Sequence, residues 1–277
     1  MSKTVLLAAA LLLLPCAARA QRKTDREGDN LRGPVRHVRA EEAAVTFKDG
    51  VAVEGPRRAK HHYLFDAEGN YAEHAFYKPD GVLSHTVKFI SEHGRRVASE
   101  VYNREGRLTR RSVLGYDEAG KLRVVTTYDV GGKLSTRRTY ERATDGNSYD
   151  MRVHDADGRL THRQLVTRAQ GGTRAEEIYH DGAAVEGRLV WVQNDDGSMR
   201  EETEYAADGT VKVVSKYADD LPHSTVYNPD GTVARRTYWT LDERDSHGNW
   251  TKRTQWVVEA GAAAAPASVF YRTVVHY

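Results

Sequence analysis

Twelve histidines, 39 acidic residues and four tryptophans are the side chains of this 277-residue chain best suited to chemistry. A histidine metal centre needs imidazoles that share a face, at a spacing that closes around one ion. The tightest pair, His61-His62, does not meet that need on a strand, where adjacent residues point to opposite faces. No His-Glu-x-x-His or Cys-x-x-Cys spacing is present, so the histidines read as solvated strand residues and not as ligands. Asp155-Ala156-Asp157-Gly158 and Asn194-Asp195-Asp196-Gly197 resemble the start of a calcium loop. A β-forming run begins, however, before the further oxygen ligands and the terminal bidentate acid such a loop requires, and turn chemistry is the better reading. There is no Gly-x-Ser-x-Gly elbow and no Gly-x-x-x-x-Gly-Lys phosphate loop. Acidic pairs are so numerous that none stands out as a general acid and base. These observations predict no catalytic residues, no metal and no cofactor.

The aromatic residues carry the one functional hint. Trp191, Trp239, Trp250 and Trp256 lie in the last third of the chain. Trp250 and Trp256 share a strand parity, as do Trp239 and Leu241, which places several of them to line one face. Trp and Tyr beside Arg and Asp suit stacking on sugar rings, and the four tryptophans are the candidate ligand-binding residues. The simpler reading is that they thicken the core where the sheet ends.

The elements that must hold these residues follow from an internal repeat. Gly69, Gly94, Gly120, Gly146, Gly172 and Gly197 form one series, and Gly81, Gly106, Gly132, Gly158, Gly182, Gly209 and Gly231 form a second between them; each has a period of about 26 residues. Most of these glycines close a turn such as Lys78-Pro79-Asp80-Gly81 or Asn103-Arg104-Glu105-Gly106, where Asp or Asn satisfies backbone donors and Gly takes a positive φ. The structural turn positions are therefore Gly81, Gly106, Gly120, Gly132, Gly158, Gly209 and Gly231. Runs rich in Thr, Val, Tyr and Arg separate the turns, for example Leu122 to Tyr128 and Leu134 to Tyr140, and these are β-formers too short for helices. Successive turns fall on alternate edges of an all-β antiparallel meander, one hairpin per repeat. Mid-strand Arg110, Arg138 and Arg235 are poor filling for a packed barrel. The expectation is an open or gently curled sheet with Leu and Tyr ladders and much solvated surface.

Tyr116-Asp117-Glu118-Ala119-Gly120-Lys121-Leu122 and Tyr128-Asp129-Val130-Gly131-Gly132-Lys133-Leu134 resemble the YD repeat of the RHS family. So do Tyr102-Asn103-Arg104-Glu105-Gly106-Arg107-Leu108 and Tyr227-Asn228-Pro229-Asp230-Gly231, and the similarity runs over about residues 61–257. The resemblance implies antiparallel sheet, which in long members spirals into a hollow shell around a toxin domain. The flanks Leu31-Arg32-Gly33-Pro34-Val35 and Asp245-Ser246-His247-Gly248-Asn249-Trp250 look like those of exported bacterial YD-repeat proteins of unknown function. That resemblance supplies a fold and an address but no catalytic residues. MORN repeats are a second, weaker resemblance, confined to about Tyr179 to Gly187.

Residues 1–20 read as a secretory signal. Lys3 is basic, Val5 to Leu14 is apolar, and Ala18-Arg19-Ala20 offers the small residues a signal peptidase reads. Pro15 before Cys16 argues against a lipoprotein. Cleavage removes Lys3, Arg19 and the only cysteine but no acid, so the net charge falls from +2 to zero and no disulfide is available. Neutral charge argues against nucleic acid or an anionic membrane surface as partner, and no stretch after residue 20 is apolar enough to span a bilayer in this polar chain of mean hydropathy −0.67. The expected organisation is the signal, a charged segment with the first strands over 21–60, and a repeat domain over 61–277. The expected function is a non-enzymatic binding or scaffold protein of the cell envelope, periplasmic or extracellular, with a glycan or protein partner. The competing class is a hydrolase of envelope polymers (glycans) or another exported enzyme, which requires carboxylates or histidines converging in one pocket.

Overall fold

The computed structural model describes residues 24–144, 147–169, 172–181, 184–195, 199–217, 223–228 and 230–277. Residues 1–20, read from the sequence as a secretory signal and containing Cys16, and Gly146, Gly182 and Gly197 of the repeat, lie outside the described residues. Among the described residues the chain forms a one-turn helix, α1 (Asp25–Gly28), and nineteen strands. The first nine are β1 (Val35–Lys48), β2 (Val51–Glu54), β3 (Arg58–Phe65), β4 (Tyr71–Tyr77), β5 (Leu83–Glu92), β6 (Arg95–Asn103), β7 (Leu108–Tyr116), β8 (Leu122–Asp129) and β9 (Leu134–Arg142). They continue as β10 (Ser148–Asp155), β11 (Leu160–Ala169), β12 (Gly172–Asp181), β13 (Ala184–Gln193), β14 (Met199–Ala206) and β15 (Val211–Tyr217). The last four are β16 (His223–Tyr227), β17 (Val233–Arg244), β18 (Trp250–Glu259) and β19 (Ala265–His276).

One type of turn recurs at both edges of the sheet. In Tyr116 to Leu122 the Asp117 N–H donates to the Lys121 carbonyl, the Gly120 N–H donates to the Asp117 carbonyl, and the Asp117 carboxylate accepts the Lys121 N–H at 2.8 Å. Asn103, Asp129, Asp155 and Asp245 each accept two backbone N–H groups in the same way. Gly81, Gly106, Gly120, Gly132, Gly158, Gly209 and Gly231 all have φ between +74° and +85°. The residue before the turn pairs with the residue two beyond its glycine: Tyr102 with Leu108, Tyr116 with Leu122, Tyr128 with Leu134. A β-bulge accompanies each of these pairs and adds local twist to the hairpin.

The meander closes on itself. From β3 to β19 each strand pairs antiparallel with the next, and β1 pairs with both β3 and β19. Eighteen strands thus form a ring, while β2 pairs only with the far end of β1, at Val45 to Lys48. The open or curled sheet expected from the mid-strand arginines is therefore corrected to a closed barrel. Closure demands an apolar filling only when few strands enclose a narrow interior. Eighteen strands at about 4.8 Å give a circumference of roughly 86 Å before tilt, wide enough for a wet lumen. Arg110, Arg138 and Arg235 point into that lumen and are exposed within it.

The inner face is identified by Tyr116, Tyr149 and Val166, which come from β7, β10 and β11 yet line one cavity. Cross-strand partners carry that face around the ring. The opposite, outer face is charged at mid-strand: Asp150 binds Arg152 at 2.7 Å and Arg163 at 2.8 Å, and Glu176 lies between Arg174 and Arg188 at 3.3 and 3.2 Å. Apolar packing is concentrated at the seam. Leu31, Val35, Val38 and Phe65 are buried against Tyr63, Tyr71 and Val274 on the inner face. Ala43, Val269 and Tyr271 are buried on the outer face, where Glu54 accepts from the Tyr271 hydroxyl and Arg57 lies 3.5 Å over its ring.

Residues 24–33 cross the rim that holds the start of β1 and the end of β19. Thr24 and Glu27 form a capping box, and the Arg26 N–H donates to the Gly69 carbonyl. The Asp25 carboxylate accepts from the Tyr71 N–H and from Arg96, both at 2.8 Å. At the other end of the segment Asn249 accepts the Arg32 N–H at 2.6 Å and donates to the Arg32 carbonyl at 3.0 Å.

Candidate functional site

The lumen at this rim is a cavity of about 830 Å³. Turns and strand ends from β3 to β11 bring Arg96, Lys121, Arg142 and Arg168 to it, with Tyr116, Tyr149, Leu114 and Val166 between them. Asp25 and Glu68 are the acidic residues on its wall, and Asp25 is already bound to Arg96. Arg142 lies 5.3 Å over the Tyr149 ring. Among the described residues, Lys121, Arg142 and Arg168 are in no ion pair, so the cavity carries an excess of positive charge. Burial and the nearby Tyr140 push the Tyr149 phenol up, against the pull of Arg142 and Arg168, and it stays neutral.

A second cationic group lies on the seam side of the same lumen. Register sets Arg253 of β18 opposite Leu241 of β17 and Phe270 of β19. Its guanidinium is 4.3 Å from the Trp239 ring centroid, 4.3 Å from that of Trp250 and 5.4 Å from that of Phe270. Arg272 lies 3.9 Å over Trp250. Such ring faces attract cations, but they do not replace a counter-ion. Neither arginine is in an ion pair among the described residues, and the Nε of each is buried without a hydrogen-bond partner. Burial, with Arg272 alongside, lowers the Arg253 pKa to about 10. Burial also lowers that of Arg272, while Asp29, Tyr63 and Tyr71 partly offset the effect. Two neighbouring buried guanidinium groups favour an anion between them.

The four tryptophans divide among three places. Trp239 and Trp250 flank Arg253. Trp191 faces the lumen on another wall, where its Nε1 donates to Glu177 at 3.4 Å; Gln164 and Tyr179 also donate to that carboxylate. Trp256 is on the outer face, its ring parallel to Tyr238 at 6.1 Å and its Nε1 donating to Thr240. The shared parity of Trp250 and Trp256 fails because Thr251 is bulged out between Lys252, opposite Glu243, and Trp250, opposite Arg244. Sequence reasoning missed Arg253 and Arg272, since a strand arginine ordinarily reads as a solvated one.

Histidines line the lumen wall beside the segment that crosses the rim. His61 and His62 point to opposite faces, His61 toward His74 and Phe76, His62 toward His37. His61 Nδ1 and His74 Nε2 are 3.2 Å apart, and His74 stacks on Phe76 at 3.6 Å. Burial, with His61 and His85 nearby, pushes the His74 pKa down to about 4, so His74 is uncharged at neutral pH and the contact is a hydrogen bond between two imidazoles.

No protein-family model matches the chain, and no curated protein matches it. Among solved structures, a porin-like protein from Bacteroides uniformis is 11% identical with a TM-score of 0.44, over 88% of this chain and 99% of that one. A protein of unknown function from Bacteroides fragilis is 12% identical with a TM-score of 0.25, over 46% of this chain and 84% of that one. The TcdB2-TccC3-Cdc42 structure is 11% identical with a TM-score of 0.19; the alignment spans 82% of this chain but 17% of that one. These likenesses carry no argument about what the chain binds.

Proposed function

We propose that the chain is an exported, non-enzymatic binding protein of the bacterial cell envelope that takes an acidic glycan into the mouth of its barrel. The observation that carries this reading is the excess of unpaired cations around that mouth: Lys121, Arg142 and Arg168 in the cavity, with Arg253 and Arg272 on the seam wall. Guanidinium groups pair with carboxylate or phosphate, and Tyr116 and Tyr149 offer ring faces beside them for sugars. The Tyr-Asp turn that ends on Gly-x-Leu supports membership of the YD-repeat group. The charged outer face supports a barrel bathed in water, in the periplasm or outside the cell, because a lipid-facing barrel needs an apolar outer band. The signal-like residues 1–20 support export.

Calorimetry with oligogalacturonate and with neutral cello-oligosaccharides tests the reading. Binding is expected for the acidic chain alone, weakening as salt rises, with at least a tenfold loss in the Arg142→Gln, Arg168→Gln double variant. Equal binding of the neutral oligosaccharide, or no response to acidic glycans, would overturn it. N-terminal sequencing of the exported product is expected to begin at Gln21.

A further inference from the structure

We propose that Asp245, His247 and His276 form a site for a divalent transition metal at the barrel seam. Asp245 and His247 belong to the turn between β17 and β18, and His276 ends β19, so strand pairing brings together residues 31 positions apart. One carboxylate oxygen and one nitrogen of each imidazole all lie within 4.8 Å of one another. Asp245 Oδ2 and His276 Nε2 are 3.4 Å apart, close to the separation of two ligands on a tetrahedral ion with bonds of about 2.0–2.2 Å.

The Asp245 and His276 ligands are held by their surroundings. The Asp245 carboxylate accepts the N–H groups of His247 and Asn249 and the Asn249 side-chain amide, at 2.8–2.9 Å, which fixes its plane. The two imidazoles stack face over face, ring centroids 3.9 Å apart and planes 25° from parallel. Gly33 packs its backbone on both: a Cβ there would sit 2.7 Å from His247 and 3.2 Å from His276. His276 Nδ1 is buried without a partner. A bound metal would take an in-plane lone pair from each imidazole and one from the carboxylate. Two nitrogens and one carboxylate oxygen suit zinc, cobalt or nickel and leave a position for water; calcium and magnesium prefer oxygen alone. His247 is exposed, so it can rotate to complete the set. A metal here ties the β17–β18 turn to the closing strand of the ring.

The test is titration of untagged, chelator-treated protein with zinc by calorimetry and with cobalt by visible spectroscopy. The expected result is one saturable site per chain, a raised melting temperature with zinc, and cobalt bands strong enough for tetrahedral coordination. His247→Ala is expected to weaken zinc at least tenfold, with the fold confirmed by circular dichroism. His276→Gln is expected to do the same, and His154→Ala to change nothing. The absence of a one-to-one site, or zinc binding that persists in the folded His247→Ala protein, would overturn the proposal.

Discussion

The guanidinium of Arg253 lies 4.3 Å from the Trp250 ring centroid, and its charged neighbour in the lumen wall is another arginine, Arg272. Replacing an uncompensated buried charge by an apolar side chain of similar length removes a desolvation penalty and keeps the packing against Trp239 and Trp250. Arg253→Met is therefore expected to raise stability by about 1 kcal/mol or more, read as a higher urea midpoint at unchanged slope. The same variant is expected to lose acidic-glycan binding. A variant both less stable and equally able to bind would mean that Arg253 is structural.

The turns should answer to backbone conformation more than to packing. Gly132 has φ +78° and open space where a Cβ would go, so Gly132→Ala carries only the left-handed penalty, about 1 kcal/mol. At Gly172 a Cβ would meet the Gln193 carbonyl oxygen at 1.9 Å. Gly172→Ala is expected to cost clearly more, since backbone must move. Urea denaturation of the two variants gives the ranking, and an equal loss would contradict it.

Turn and strand were legible because each is decided locally. Asp117 and Gly120 close a hairpin with atoms seven residues or fewer apart, and Tyr116 then has to meet Leu122. Closure was not legible, because it depends on β1 meeting β19 across almost the whole chain. A hollow ring also leaves its strands half-solvated on both faces, so Arg110 and Arg138 look alike in an open sheet and in a wide barrel. The candidate site was half legible. Trp239 and Trp250 were singled out, but one bulge at Thr251 decided that Trp250 faces Arg253 while Trp256 faces out. Nothing in the spacing marks a bulge of that kind.

Acid should weaken the fold through the lumen histidines. His74 has a folded pKa of about 4 against an ordinary value of 6.5. The unfolded chain therefore binds the proton first, and the stability held by neutral His74 is full above pH 6.5 and drains away as pH falls toward 4. His74 is only half-buried, so solvent screening reduces what this shift contributes to stability to about 1 kcal/mol. His61, His62 and His162 are pushed the same way by burial. Asp150, although burial opposes it, is held below the usual carboxylate value by Arg163 and Arg152, so its contribution is lost only at lower pH. Urea midpoints at pH 7.5 and pH 5 should fall in the wild type and fall less in His74→Gln. An unchanged midpoint would remove the burial argument.

Closure of the ring can be tested covalently. Ala43 of β1 and Val269 of β19 are directly opposed and buried together on the outer face. Opposed residues on one face of an antiparallel pair bring their Cβ atoms within disulfide reach. A chain lacking residues 1–20 contains no cysteine, so Ala43→Cys with Val269→Cys leaves one pairing available. Oxidation is expected to give an intramolecular crosslink that migrates faster in denaturing gels and adds about 2–4 kcal/mol to stability. Ala43→Cys with Val113→Cys is the control, since β7 is remote from β1 in the ring and Val113 is exposed. In an open sheet β1 and β19 would be the two free edges, far apart, and the first pair would crosslink no better than the control. Efficient crosslinking of the seam pair alone requires the two ends of the meander to be neighbours in solution.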